Sequence, residues 1–213
     1  MINIHKGQEP KSLTEYRHTA AATYDDYRDK DTLRQFLVAE QRGLCCYCMR
    51  SISPHRNAMK IEHWHPQEDP RCDHEQLDYR NLLASCLGGD GYRRAIRHCD
   101  TAKGAKLLSR NPSSAVENFQ KMIQYDLQGT ITATDPVFSN ELGEVLNLNA
   151  EELKSIRRAE LRAFLMGVKI RGAFTKQQLR KIIDVWSGSS DNGPLRPYCG
   201  VILYWAQKRL SRL

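Results

Sequence analysis

The spacing of apolar residues changes several times along this 213-residue chain. In the first thirty residues apolar positions are sparse, and Tyr16, Tyr24 and Tyr27 stand among polar neighbours; this predicts an arm with one short helix. Leu33, Phe36 and Leu37 then adopt helical spacing, with Asp31 as a cap and Gly43 as a terminator, so a helix is expected over 31–42. Met59, Ile61 and His63 alternate with Lys60 and Glu62, the period of a short strand that Pro66 stops. A second apolar run, NLLAS, leads to Cys86, and the glycine-rich LGGDG leads to HCDTAKGAK, where Asp100 or Thr101 can start a helix.

Helical signals dominate beyond Leu108. Ser114 and Glu117 read as a capping box ahead of Val116, Phe119 and Met122, and a hairpin is expected around Gln128-Gly129. Leu153, Ile156, Phe164, Leu165 and Val168 keep helical spacing, as do Leu179, Ile182, Ile183 and Trp186 behind a Thr175/Gln178 cap. A final amphipathic segment carries Val201, Ile202 and Trp205. The expected fold class is α+β, mainly α, in three parts: an arm and helix (1–42), a strand-strand-helix core (43–108) and a mostly helical region with a small hairpin (109–213).

Composition adds two constraints. Hydrophobic residues are 40% and charged residues 27% of the chain, which excludes global disorder. No apolar run approaches the roughly 20 residues a bilayer requires, and the start lacks the apolar core of a signal peptide, so a cytoplasmic protein without membrane contact is expected. The balance of 32 Lys+Arg against 25 Asp+Glu gives +7, which favours a polyanionic partner such as nucleic acid.

In a reducing compartment, the seven cysteines read as metal ligands plus spare thiols rather than disulfides. Cys45 and Cys48 have the two-residue spacing that brings both sulfurs to one tetrahedral ion, and Cys46 is too close to Cys45 to share it. Cys86 and Cys99 are the candidate second pair, with Cys72 in reserve, provided that LGGDGYRRAIR loops out between them. Four thiolates would form a closed, structural Zn²⁺ site.

The stretch KIEHWHP holds the densest chemistry. A lone histidine near a strand end is ordinarily a satisfied surface residue, and His5, His18, His55 and His74 receive no role on that ground. His63 has company: Glu62 before it, Pro66 after it, Asn81 eighteen residues on and Asp100 after Cys99. Glu62 and Asp100 can supply oxygens to a hard divalent ion, Mg²⁺ or Mn²⁺, and His63 can take a proton from an attacking water. Asn81 can hold the loop and orient the imidazole. His65 is either a surface residue or a phosphate contact, and His98 either reaches a phosphate or packs. Arg93, Arg94, Arg97, Lys103 and Lys106 can neutralise backbone phosphates without reading bases. Arg157, Arg158, Arg162, Lys169 and Arg171 read as a solvated face. A non-enzymatic zinc module would account for the cysteines and the charge, yet has no use for Glu62, His63, Asn81 and Asp100 in that order.

GLCCYC, IEHWHP, LDYRNLLASC and HCDTAKGAKL together resemble the HNH endonuclease superfamily, and within it the PtuB-type nuclease subunits of Septu and retron-associated anti-phage systems. KGQEPKSL and RPYCGVILYWAQKR extend the likeness towards both ends. The resemblance implies a ββα-metal core braced by zinc on Cys45, Cys48, Cys86 and Cys99. It also implies His63 as general base, Glu62 and Asp100 as ligands of the catalytic ion, and Asn81 as the motif's middle asparagine. Glutamate replaces the frequent aspartate, and aspartate the frequent histidine or asparagine, both still oxygen donors. The implied partner is a PtuA-type ATPase, for which the Trp186 and Trp205 segments offer a docking surface; a retron form would add a reverse transcriptase and its noncoding DNA. The substrate is expected to be DNA, with tRNA or another structured RNA as the alternative.

Overall fold

A computed structural model describes residues 1–168, 173–189 and 193–213. The fold is α+β and mainly helical, with two small two-stranded sheets among the described residues. Strand β1 (Met59–His63) pairs antiparallel with β2 (Leu82–Cys86), in a register running from Met59↔Cys86 to His63↔Leu82. The expected alternation over β1 is incomplete: Glu62 and His63 are both buried, because the end of the strand is covered on both faces.

Helix α1 (Lys11–Arg17) precedes helix α2 (Lys30–Glu40), which lies against β2. Its N-cap is Asp29, whose side chain accepts from Thr32 N, and not Asp31, which pairs with Arg34 in the first turn. Gly43 follows at φ +79°, a conformation that glycine adopts without steric cost. Just past α2, the buried Gln41 amide donates to Ala84 O (2.8 Å) and accepts from Ala84 N (2.7 Å). It thereby pairs Ala84 N on the edge of β2, and Ala84 O also accepts from Cys46 N (3.0 Å). The arm is less loose than its polarity suggests, since Met1, Ile4 and Leu13 all enter the core.

After a looped-out segment comes α3 (Asp100–Lys103), a single turn. Helix α4 (Phe119–Met122) is equally short and capped by Asn118, so the expected longer helix on a Ser114/Glu117 box does not form. Glu117 is engaged by Arg110 instead, and Val116 is 94% exposed. Strands β3 (Ile123–Tyr125) and β4 (Ile131–Ala133) make the expected hairpin. Its Gly129 has φ +81°, and a Cβ there would lie 2.2 Å from Lys154 O. Helix α5 (Pro136–Asn140), capped by Asp135 with proline in the first turn, continues into a π turn over Glu141–Val145.

The rest is α6 (Glu151–Gly167), α7 (Lys176–Ser187) with the Thr175/Gln178 capping box, and α8 (Cys199–Leu210). Arg157 of α6 is not on a solvated face. It is 2% exposed, with Nε donating to Gly129 O and Nη2 to Leu148 O, so it fastens the hairpin to the helix. Lys169 and Arg171 lie outside the described residues. Trp205 is buried and packs edge-on with Phe164 and Phe174, and Trp186 packs with Phe164 under Arg196; both tryptophans belong to the helical core. Among the described residues no helix is long and apolar enough to cross a membrane.

Candidate functional site

Cys45, Cys48, Cys86 and Cys99 converge, with their sulfurs all within 4.8 Å of one another. The first two sit on a tight turn in which Met49 N bonds to Cys45 O and Cys45 N to Arg50 O, with Met49 at φ +64°. Cys86 ends β2, and Cys99 precedes α3. The loop between them closes where His98 N donates to Gly88 O (2.9 Å). Only glycine fits there, since a Cβ on Gly88 would stand 2.1 Å from His98 O. Asn147, just after the π turn, donates to Arg97 O (2.7 Å) and holds the loop from the other side.

The Cys45–Cys99 and Cys48–Cys86 sulfurs are 3.8 and 3.7 Å apart. Tetrahedral zinc with Zn–S bonds of about 2.3 Å places its sulfurs roughly 3.8 Å apart. The cluster therefore fits a metal ion such as zinc. Its electrostatics agree. Burial opposes ionisation of Cys45, yet hydrogen bonds from Cys46, Cys48, Cys86 and Cys99 hold its thiol low, while Cys86 and Cys99 are pushed up. Without a cation the cluster cannot carry several thiolates at once. His98 is buried with Nδ1 3.1 Å from Cys99 Sγ, so it packs beside the sulfurs rather than reaching outward. Cys72 is not part of this group, and Cys46 is buried behind it.

A second cluster lies at the other end of β1. Glu62 is buried, with Oε1 accepting from Tyr47 Oη (2.7 Å) and Lys103 Nζ (2.8 Å). Burial pushes its carboxyl well up, and the Asp100 carboxyl, within hydrogen-bonding reach, pushes it further against the pull of Lys103. Lys103 Nζ supplies the positive charge that faces Glu62 here. Asp100 is more accessible than Glu62 and lies 3.9 Å from Lys60 Nζ, which also reaches Asp90.

His63 Nε2 is 3.0 Å from Gln76 O. A carbonyl only accepts, so Nε2 carries the hydrogen and the neutral ring keeps its lone pair on Nδ1. The ring is 7% exposed and lies under Tyr24, edge-on at 4.4 Å between centroids. Burial lowers its pKa to about 4, below the near-neutral value expected of a general base, so the ring is neutral at pH 7. Asn81 does not touch the imidazole. Its Oδ1 accepts from His65 N (2.7 Å) and its Nδ2 donates to His65 O and Glu75 O, tying together the two ends of the loop that presents Gln76.

The structure thus gathers Glu62, His63, Asn81 and Asp100 into one region. Lys103, expected as a phosphate contact, is instead fully buried, donating to Glu62 and to His63 O (2.9 Å). His65 is no free phosphate contact either, because Nδ1 pairs with Glu75. Arg93 and Arg94 are exposed, and Arg97 is partly exposed with Nε on Tyr92 O. Sequence reasoning passed over Tyr47, Tyr24 and Gln76. Tyr47 had a signal, lying between the paired cysteines; the Gln76 carbonyl had none. No family model and no curated protein matches this chain.

Proposed function

We propose that the protein is a metal-dependent HNH-type endonuclease that hydrolyses phosphodiester bonds of nucleic acid, DNA foremost. What supports this is a buried Glu62 carboxyl, pushed up by burial and by Asp100, next along β1 to an imidazole whose lone pair is left on Nδ1 by the Gln76 carbonyl. Glu62 and Asp100 would hold Mg²⁺ or Mn²⁺, which when bound supplies charge stabilisation at the scissile phosphate and the leaving 3′-oxygen. His63 Nδ1 accepts the proton of the attacking water, a role worth about 10²–10⁴-fold in rate. Asn81 holds the loop that aims Gln76 at His63. Lys103 and Tyr47 orient Glu62. Arg93, Arg94 and Arg97, on the loop leading to Asp100, contact backbone phosphates.

The four cysteines hold structural Zn²⁺ in this reading, joining the turn, the end of β2 and the start of α3. The motif resemblance supports a cytoplasmic role in anti-phage defence beside a PtuA-type ATPase, with a reverse transcriptase and its noncoding DNA in a retron form. Co-expression with the ATPase is therefore the right preparation. Duplex DNA, single strands and tRNA offered side by side with Mg²⁺ test the substrate class: cleavage of DNA is expected, and cleavage of tRNA alone would replace it with the ribonuclease reading. Absence of cleavage on all three, with metal sites filled and the partner bound, would leave a non-enzymatic zinc module.

A further inference from the structure

The loop between β1 and β2 carries another set of ligand atoms. A ring nitrogen of His65, Cys72 Sγ and a Glu75 carboxylate oxygen all lie within 4.8 Å of one another. We infer that His65, Cys72 and Glu75 form a second transition-metal site, selective for a Zn²⁺-like ion and distinct from both clusters above.

Local structure builds this arrangement. Asp69 caps a 3₁₀ turn over Pro70–Glu75 by accepting from Arg71 N. Residues three apart eclipse on a 3₁₀ helix, so Cys72 and Glu75 project from the same side. His65 meets them from the end of β1, its Nδ1 2.5 Å from Glu75 Oε2. The main chains of His65 and Glu75 are bonded to one buried side chain, the Asn81 amide, which fixes their separation before any ion arrives.

One thiolate, one imidazole and one carboxylate form a borderline-soft set that suits Zn²⁺ or Co²⁺ and not Mg²⁺ or Ca²⁺. Three protein ligands leave a fourth position for water or an exogenous group, unlike the closed four-cysteine cluster. All three residues are partly exposed, so an ion can enter from solvent. Occupancy also has a consequence for the neighbouring chemistry. Gln76 follows Glu75 directly; its carbonyl holds His63 Nε2 and its side-chain oxygen accepts from Tyr24 N. An ion on Glu75 would pin this segment and with it the orientation of His63. The site itself stands apart from the nuclease reading.

The test is a Co²⁺ titration of the full-length chain, reduced and with Zn²⁺ already in the four-cysteine cluster. The wild type is expected to take up one Co²⁺ with a thiolate-to-cobalt charge-transfer band and visible d–d bands, uncontested by millimolar Mg²⁺. Cys72→Ser removes the charge-transfer band, and Glu75→Gln weakens Co²⁺ affinity by on the order of tenfold or more. Both side chains are partly exposed, so neither change threatens the fold, and circular dichroism checks this. A wild-type protein that shows no thiolate band under these conditions overturns the site without recourse to any variant. So does a band that survives in Cys72→Ser, which would trace it to displaced zinc.

Discussion

Glu62 and Lys103 meet at 2.8 Å with both side chains only 1% exposed, at the heart of the candidate site. Removing Lys103 leaves the Glu62 carboxyl, which burial and Asp100 already push well up, to take a proton and lose a buried hydrogen bond. Lys103→Met should therefore lower unfolding free energy by about 1–3 kcal/mol. In the Glu62→Gln background the same change should cost less, because the group facing Lys103 is no longer acidic. Chemical denaturation of the four proteins in the cycle measures both quantities; additive single losses would show that the two residues do not act as a pair.

The four-cysteine cluster joins the turn after α2, the end of β2 and the start of α3. Chelation, or Cys48→Ser, should release the ion held by this cluster and lower Tm by on the order of ten degrees or more. Metal analysis and thermal unfolding check this together. Unchanged Tm after complete loss of that ion would reduce the cluster to buried thiols.

Acidification should act on His63 in a definite direction. Its pKa is lowered by burial from 6.5 to about 4, so the unfolded chain binds this proton more readily than the folded one. The stability held in the neutral, buried ring is fully present above pH 6.5 and is lost as pH falls from there towards 4. At 1.36 kcal/mol per unit this is on the order of 3 kcal/mol. An NMR titration of the ring protons should find His63 neutral down to about pH 4. A midpoint near 6.5 would place the ring in water.

Tyr24 stands over His63, and its backbone N–H is anchored on the Gln76 side chain. Removing the ring should open the imidazole to solvent. Tyr24→Ala is expected to speed modification of His63 by diethyl pyrocarbonate several-fold, with Tyr24→Phe close to wild type. Mass spectrometry of the modified peptide reads the rate. Equal rates in all three proteins would mean that some other group covers the ring.

Much of this architecture was legible in the residues, and the exceptions share a cause. The strand at 59–63, the Thr175/Gln178 cap and the Gln128-Gly129 turn have local signals, and local structure follows them. The cysteine spacing and the glycine-rich loop likewise anticipated the four-sulfur cluster. Long-range partners overrode the rest. Ser114 and Glu117 have the pattern of a capping box, but Arg110 engages Glu117. Arg157 and Lys103 look like surface cations, yet backbone carbonyls and Glu62 satisfy them inside. Gln76 acts on His63 through its main chain, where residue identity leaves no trace. Cys72 stands in reserve for the four-sulfur site in the sequence reading, whereas the fold sets it beside His65 and Glu75.

The nuclease reading depends on one lone pair, the Nδ1 of His63. The direct measurement is cleavage of DNA with Mg²⁺ by wild-type and His63→Ala proteins, each assembled with the ATPase subunit and matched for zinc content and Tm. Loss of about 10²–10⁴-fold in rate is the predicted result. Equal cleavage by the two proteins would contradict it.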